Sequence, residues 1–226
     1  MKVIQIFNSI KLQSLKPWHS LICGLSVVFF GCNPTPEACL DVSASSVQVG
    51  ERIVVSDCSQ KSHNNTIDMG DGARFLDQES VPHSYFVPGA YAVQLTAFSK
   101  KGDKTELVGQ TISVSAPSTA SVLGSWKLST VDTYEQLELD PTISLFDYPK
   151  IKSETFEEIW NISEKEIQVA HISEDYFIFE NVLPYSYSNG VVYAGNTQFR
   201  IVRQNSSQMI WKGYYFKGFK LIYLSK

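Results

Sequence analysis

Hydrophobic and polar residues follow two regimes along this chain. An apolar run extends from Leu21 to Gly31, whereas from Leu40 onward apolar positions alternate with polar ones in short segments divided by turn formers. Val47 and Val49 alternate with polar neighbours, Gly50-Glu51 marks a turn, and Ile53-Val54-Val55 reads as a short buried strand ending at Asp57-Cys58. Tyr91 to Ala97 places Tyr, Val, Leu and Ala on one face, Lys100 to Asp103 has hairpin-turn composition, and Gly109 to Val114 is a last strand. Strands this short, with nothing helical between them, predict an antiparallel β-sandwich over residues 38–115.

Residues 116–121 are small, polar and broken by Pro117, the composition of a linker. Alternation then resumes over residues 122–226, from Gly124-Ser125-Trp126 to Phe219–Leu224, and about eight strands fit that length. The acidic stretch from Asp132 to Lys152, with Pro141 and Pro149, reads as a long first loop or a short helix. Consecutive antiparallel strands in this number favour closure into a barrel, because closure removes both exposed edges. The fold class expected is therefore all-β, a sandwich followed by a small antiparallel barrel.

Lys2, Lys11 and Lys16 precede the apolar run and no acid occurs before Glu37, the layout of an export leader. The run ends Val28-Phe29-Phe30-Gly31-Cys32 and resembles the lipobox of bacterial lipoproteins. That resemblance implies a signal peptide over 1–31, acylation of Cys32, a membrane partner reached through the lipid, and a place in the cell envelope at the outer membrane, facing the periplasm or the surface. Residues 32–37, polar with Pro34 and Pro36, are expected to be a tether that does not pack. Beyond the leader, sixteen basic side chains stand against twenty-three acidic, a formal charge of −7. An acidic chain without a basic cluster argues against nucleic acid as a partner. With Cys23 in the leader and Cys32 acylated, Cys39 and Cys58 remain, either as a disulfide, as two thiols, or as metal ligands. A disulfide suits an exported chain, and the lack of Cys-x-x-Cys spacing or a paired His speaks against metal.

Ile67-Asp68-Met69-Gly70-Asp71-Gly72, then Pro82-His83-Ser84-Tyr85, then Gly89-x-Tyr91-x-Val93-x-Leu95, resembles the PKD (polycystic kidney disease) repeat over residues 38–115. The family implies an Ig-like sandwich acting as a spacer or interaction module, and Ala38-Cys39 with Asp57-Cys58-Ser59 resembles its disulfide-bearing form. The residues read the same way physically. Gly70 and Gly72 allow the positive φ of a tight turn, while Asp68 and Asp71 cap backbone N–H groups within it. Tyr85 and Tyr91 are apolar bodies with a hydroxyl to place. A calcium site at Asp68 and Asp71 is the functional alternative, lacking a third acid at close spacing. His83, with no nucleophile nearby, reads as a hydrogen-bonded core residue.

Gly124-x-Trp126 resembles the Gly-x-Trp of the lipocalins, which implies a lipocalin-like barrel whose Trp closes one end under a basic side chain, here Arg200 or Arg203. A barrel of eight strands is either filled or holds one small ligand. Trp160, Phe177, Phe179, Tyr193, Phe199 and Trp211 are candidates to line such a cup, and His171 shares a strand face with Ile167 and Val169. No Gly-x-Ser-x-Gly elbow, His-Glu-x-x-His or phosphate-cradling loop is present, and Glu157 and Glu158, adjacent on a strand, face opposite sides. No catalytic residue, cofactor or metal is therefore expected. The function expected is a non-catalytic, lipid-anchored envelope protein binding a small apolar ligand, or an envelope protein or glycan. The alternative is an assembly subunit of a surface complex for adhesion, secretion or glycan uptake.

Overall fold

This computed structural model describes residues 33–172 and 177–226, without the side chains of 172–180, so Cys32 and the rings of Phe177 and Phe179 lie outside the described residues. Eight strands build the first half: β1 (Leu40–Val42), β2 (Ser46–Gln48), β3 (Arg52–Asp57), β4 (Asn64–Asp68), β5 (Arg74–Leu76), β6 (Ser80–Ser84), β7 (Gly89–Phe98) and β8 (Thr105–Ser115). They form two sheets, ordered β1-β3-β6 and β2-β8-β7-β4-β5. Ile53, Val55, Ile67, Val93, Leu95, Ala97 and Ile112 alternate inward and are fully buried between them. Val54, expected inside, is exposed, because a sandwich strand buries one face only. β2 pairs with β8 in parallel, a departure from the expected antiparallel pattern that arises because the chain crosses from one sheet to the other after β1.

Cys39 and Cys58 are joined as a disulfide with Cα atoms 4.8 Å apart, stapling the start of the sandwich to the end of β3. The segment before it packs, contrary to the tether expectation. Glu37 forms a β-bridge with Gln60, N–H to carbonyl in both directions at 2.8 and 2.9 Å, and Pro36 is buried. The neighbouring disulfide holds that edge in register, so the backbone of Glu37 has a partner within reach.

The expected linker is also ordered at its end, where Ser118 caps a one-turn helix α1 (Thr119–Val122) and Val122 is fully buried. Eight antiparallel strands follow: β9 (Gly124–Tyr134), β10 (Lys152–Ile162), β11 (Glu166–Ile172), β12 (Phe177–Ser188), β13 (Val191–Ala194), β14 (Thr197–Gln204), β15 (Gln208–Tyr215) and β16 (Gly218–Ser225). Each pairs with the next and β16 pairs with β9, closing the barrel. Its inward residues include Trp126, Leu128, Ile167, Ile201, Met209 and Trp211, all buried in one cluster. Gly213 has a packing reason, since a Cβ there would lie 2.8 Å from the ring of Phe199.

A second core lies on the outside of the barrel. Tyr134, Val202, Ile210, Phe219 and Leu221 point outward and are covered by Leu145 and Tyr148 of the loop between β9 and β10. That loop is the acidic stretch, irregular and without a helix. Its Phe146 meets Phe86 of the sandwich edge-on at 5.7 Å. A bulge in β14 at Val202 turns its backbone toward the sandwich, where a Cβ on Gly50 (φ +76°) would lie 2.2 Å from the Val202 carbonyl oxygen. Tyr187 Oη donates to the Pro117 carbonyl at 2.5 Å and Gln204 Nε2 to that of Ser121 at 2.6 Å. Residues 33–226 accordingly form one compact unit.

Candidate functional site

The PKD-like residues converge on the turn between β4 and β5. Asp68 accepts from the Gly70 N–H at 2.9 Å and from Arg74 Nη2 at 2.7 Å, and Asp71 accepts from the Ala73 N–H at 3.1 Å. The His83 ring meets the other oxygen of Asp71 at 2.8 Å. Tyr85 Oη donates to the Met69 carbonyl at 2.8 Å, and its ring stacks on Tyr91 at 4.1 Å. Gly70 is demanded by its φ of +78° and by the Ala92 backbone, 2.8 Å from where a Cβ would stand, while Gly72 adopts φ +101°. Gly89 begins β7 beside the Tyr91 ring.

Burial and hydrogen bonding act together on the titratable groups of this turn. The Arg74 bond and the Gly70 N–H hold the Asp68 carboxyl below the usual carboxylate range. Burial acts to raise Asp71, but the His83 hydrogen bond, the His83 charge and the Ala73 N–H together hold it low. Burial raises the Tyr85 and Tyr91 phenols, with the Asp71 charge adding to both. Both carboxylates at the turn are thus engaged by protein donors, and among the described residues no group of three or more His, Cys, Asp or Glu is placed to hold a metal ion.

The barrel residues divide. Trp160 and Phe199 pack against Trp211 in the interior, with ring centroids 5.7 and 5.6 Å from it. Tyr193 is 46% exposed, a correction to the expectation that it lines a cup: Val192 and Ala194 take the inward positions of β13, so period two turns Tyr193 outward. Gly124 (φ +113°) opens β9, and Trp126 Nε1 donates to the Val122 carbonyl at 2.8 Å. The cation over Trp126 is Lys226, 4.7 Å from its ring, and Arg203 instead lies 4.1 Å over Phe146. The bulge at Val202 explains the exchange, because it leaves Arg203 on the outer face of β14. His171 lies on β11 with Nε2 3.8 Å from a Glu158 oxygen, and Glu158 also accepts from Trp160 Nε1 at 2.9 Å.

The concavity that the alternation pattern did not announce lies outside the barrel. A cleft of about 620 Å³ is bounded by Arg52, Pro82, Ser84, Phe86 and Val87 of the sandwich, by residues 139–148 of the long loop, and by Arg203, Lys212 and Tyr214 of the barrel. Asp71, His83 and Tyr91 reach its wall, so the PKD-like turn borders it. Its lining mixes ring faces with the hydroxyls of Ser84, Thr142 and Ser144. The hydrogen-bonding side-chain partner of His83 among the described residues is Asp71. The signal for this site was in the last two strands. Met209-Ile210-Trp211 and Leu221-Ile222-Tyr223-Leu224 are apolar on both faces, which requires a cover on the outside of the barrel.

The fold is thus an Ig-like β-sandwich docked on a closed eight-stranded antiparallel barrel, with a cleft between them. No protein-family model and no curated protein matches the chain. Solved structures similar to it include the PKD1 domain of the Vibrio cholerae metalloprotease PrtV, 24% identical over 36% of this chain and 98% of that domain, with a TM-score of 0.31. The PKD domain of the human VPS10 domain-containing receptor SorCS2 is 21% identical over 50% of this chain and 99% of that one (TM-score 0.33). The lipoprotein BT2262 from Bacteroides thetaiotaomicron is 8% identical over 83% of this chain and 100% of that one (TM-score 0.21).

Proposed function

We propose that this chain is a non-catalytic, lipid-anchored protein of the cell envelope, in which a PKD-like sandwich and a lipocalin-like barrel act together to bind a small molecule or glycan in the cleft between them. The observation that carries the reading is that cleft, about 620 Å³ and built jointly by sandwich, loop and barrel, a volume typical of small-ligand sites. The packed aromatic interior of the described barrel favours a ligand held outside the lumen. The resemblance of Phe29–Cys32 to a lipobox supports the anchor, and no described helix is long and apolar enough to cross a membrane. A ligand-observed NMR screen of fragments and oligosaccharides on the full chain tests the cleft, with Thr142→Trp as the blocked control. Hits lost in that variant support it; hits retained by it refute it. Labelling with radioactive palmitate in cells tests the anchor, which predicts incorporation that Cys32→Ser abolishes.

An assembly role has one observation of its own. Phe216, 82% exposed, stands with exposed Tyr214 and Leu137 at one rim of the barrel, a sticky edge of the kind that marks protein contacts. A photo-crosslinker placed at Phe216 in cells would capture an envelope protein on this reading, and only solvent on the other.

A further inference from the structure

The cleft carries a charge arrangement that its ligand must answer. Lys212 is only 7% exposed, yet among the described residues its Nζ donates a single hydrogen bond, to Tyr214 Oη at 2.9 Å. The rings of Tyr214 and Phe219, 4.5 and 4.7 Å away, offset part of the cost of burying an ammonium group. Its direct cross-strand neighbour on β14 is Arg200, and like charges opposite one another on a sheet repel. Arg203 follows just beyond the bulge, and Arg52 enters from the sandwich side. Among the described residues none of these four cations lies within 4.0 Å of a carboxylate oxygen. Of the carboxylates on the same wall, Asp71 is engaged by His83 and Asp140 by Thr142, and Asp147 stands at an exposed position.

An isolated inorganic anion would fill a small part of about 620 Å³. The remaining wall offers ring faces from Phe86, Tyr91 and Tyr214 beside the hydroxyls of Ser84, Thr142 and Ser144, which suits a ligand with an apolar ring face, several hydroxyls and one acidic group. We propose that the cleft binds an acidic saccharide, its carboxylate or sulfate held by Lys212 and Arg203 with Arg52 closing from the sandwich. The inference rests on the cleft being the ligand site.

Isothermal titration of the full chain in mild detergent, using a uronic-acid disaccharide, its neutral counterpart and inorganic sulfate, tests it. The acidic disaccharide should bind at about 20 mM salt and weaken at about 300 mM, with sulfate competing. Lys212→Met and Arg203→Gln should each cost about tenfold or more, with circular dichroism showing that the barrel is intact; Arg203→Gln covers the case in which Lys212→Met does not fold. Equal binding of the neutral disaccharide, or an acidic affinity untouched in both folded variants, overturns the charge assignment and leaves the cleft standing. Binding of neither disaccharide, or binding undiminished in Thr142→Trp, overturns the cleft reading with it.

Discussion

Gly50→Ala is the most direct test of whether sandwich and barrel are docked as one unit, on which the cleft depends. Gly50 sits at φ +76°, where an L side chain costs about 1–2 kcal/mol. Its Cβ would also stand 2.2 Å from the Val202 carbonyl oxygen of the barrel, so the two halves must separate by about an ångström, an overpacking cost of about 1–3 kcal/mol. The sum is about 2–5 kcal/mol. Gly102→Ala is the matched control, with φ +71° in the same sandwich and no atom within 4 Å of the added methyl, leaving the backbone cost alone. Urea unfolding of the full chain separates the two. Trp126, Trp160 and Trp211 all lie in the barrel and the described sandwich has no Trp, so with Trp18 replaced by Phe in every variant fluorescence reports the barrel while amide exchange on β7 and β8 reports the sandwich. Gly50→Ala should lower the fluorescence transition by about 1 kcal/mol or more, roughly the value of the Phe86–Phe146 contact it loosens. Gly102→Ala should leave that transition in place. Identical behaviour of the two variants in both readouts would refute the docking.

Replacing Cys39 and Cys58 together by Ala opens a loop of 19 residues' separation and should cost about 3 kcal/mol in the sandwich; a loss below about 1 kcal/mol would show that the Glu37–Gln60 bridge and core hold that edge unaided. Asp71 has a folded pKa held below its unfolded value, so its contribution is complete above about pH 4 and is lost as pH falls through the folded value. Asp71→Asn should therefore be less stable than the parent at pH 6 and match it more closely at pH 3, with a constant difference at both pH values counting against the His83–Asp71 bond. Gly213→Ala should destabilise the barrel by about 1–3 kcal/mol through the Phe199 ring, and Phe199→Leu in the same chain should recover part of the loss. An additive pair would place the cost elsewhere.

Local patterns in the chain determine much of this molecule. Period two over residues 38–115 and 122–226 specifies half-buried strands wherever it occurs, since successive side chains of a strand must face opposite ways. The Asp-x-Gly-Asp-Gly turn with His83 and Tyr85 is equally local in cause, because positive φ and short carboxylate caps are properties of those residues themselves. Closure of eight strands follows from the cost of open edges. Tertiary structure decided the rest. Which cation covers Trp126, which way Arg203 points and where the acidic loop lies depend on one extra residue in β14 and on contacts between segments more than fifty positions apart. No periodicity records a bulge's partner or a loop's landing place. The cleft is the clearest case: its Arg52, Phe146 and Lys212 are unremarkable where they stand in the sequence, and they become a candidate site only because a sandwich edge, a loop and a barrel wall meet.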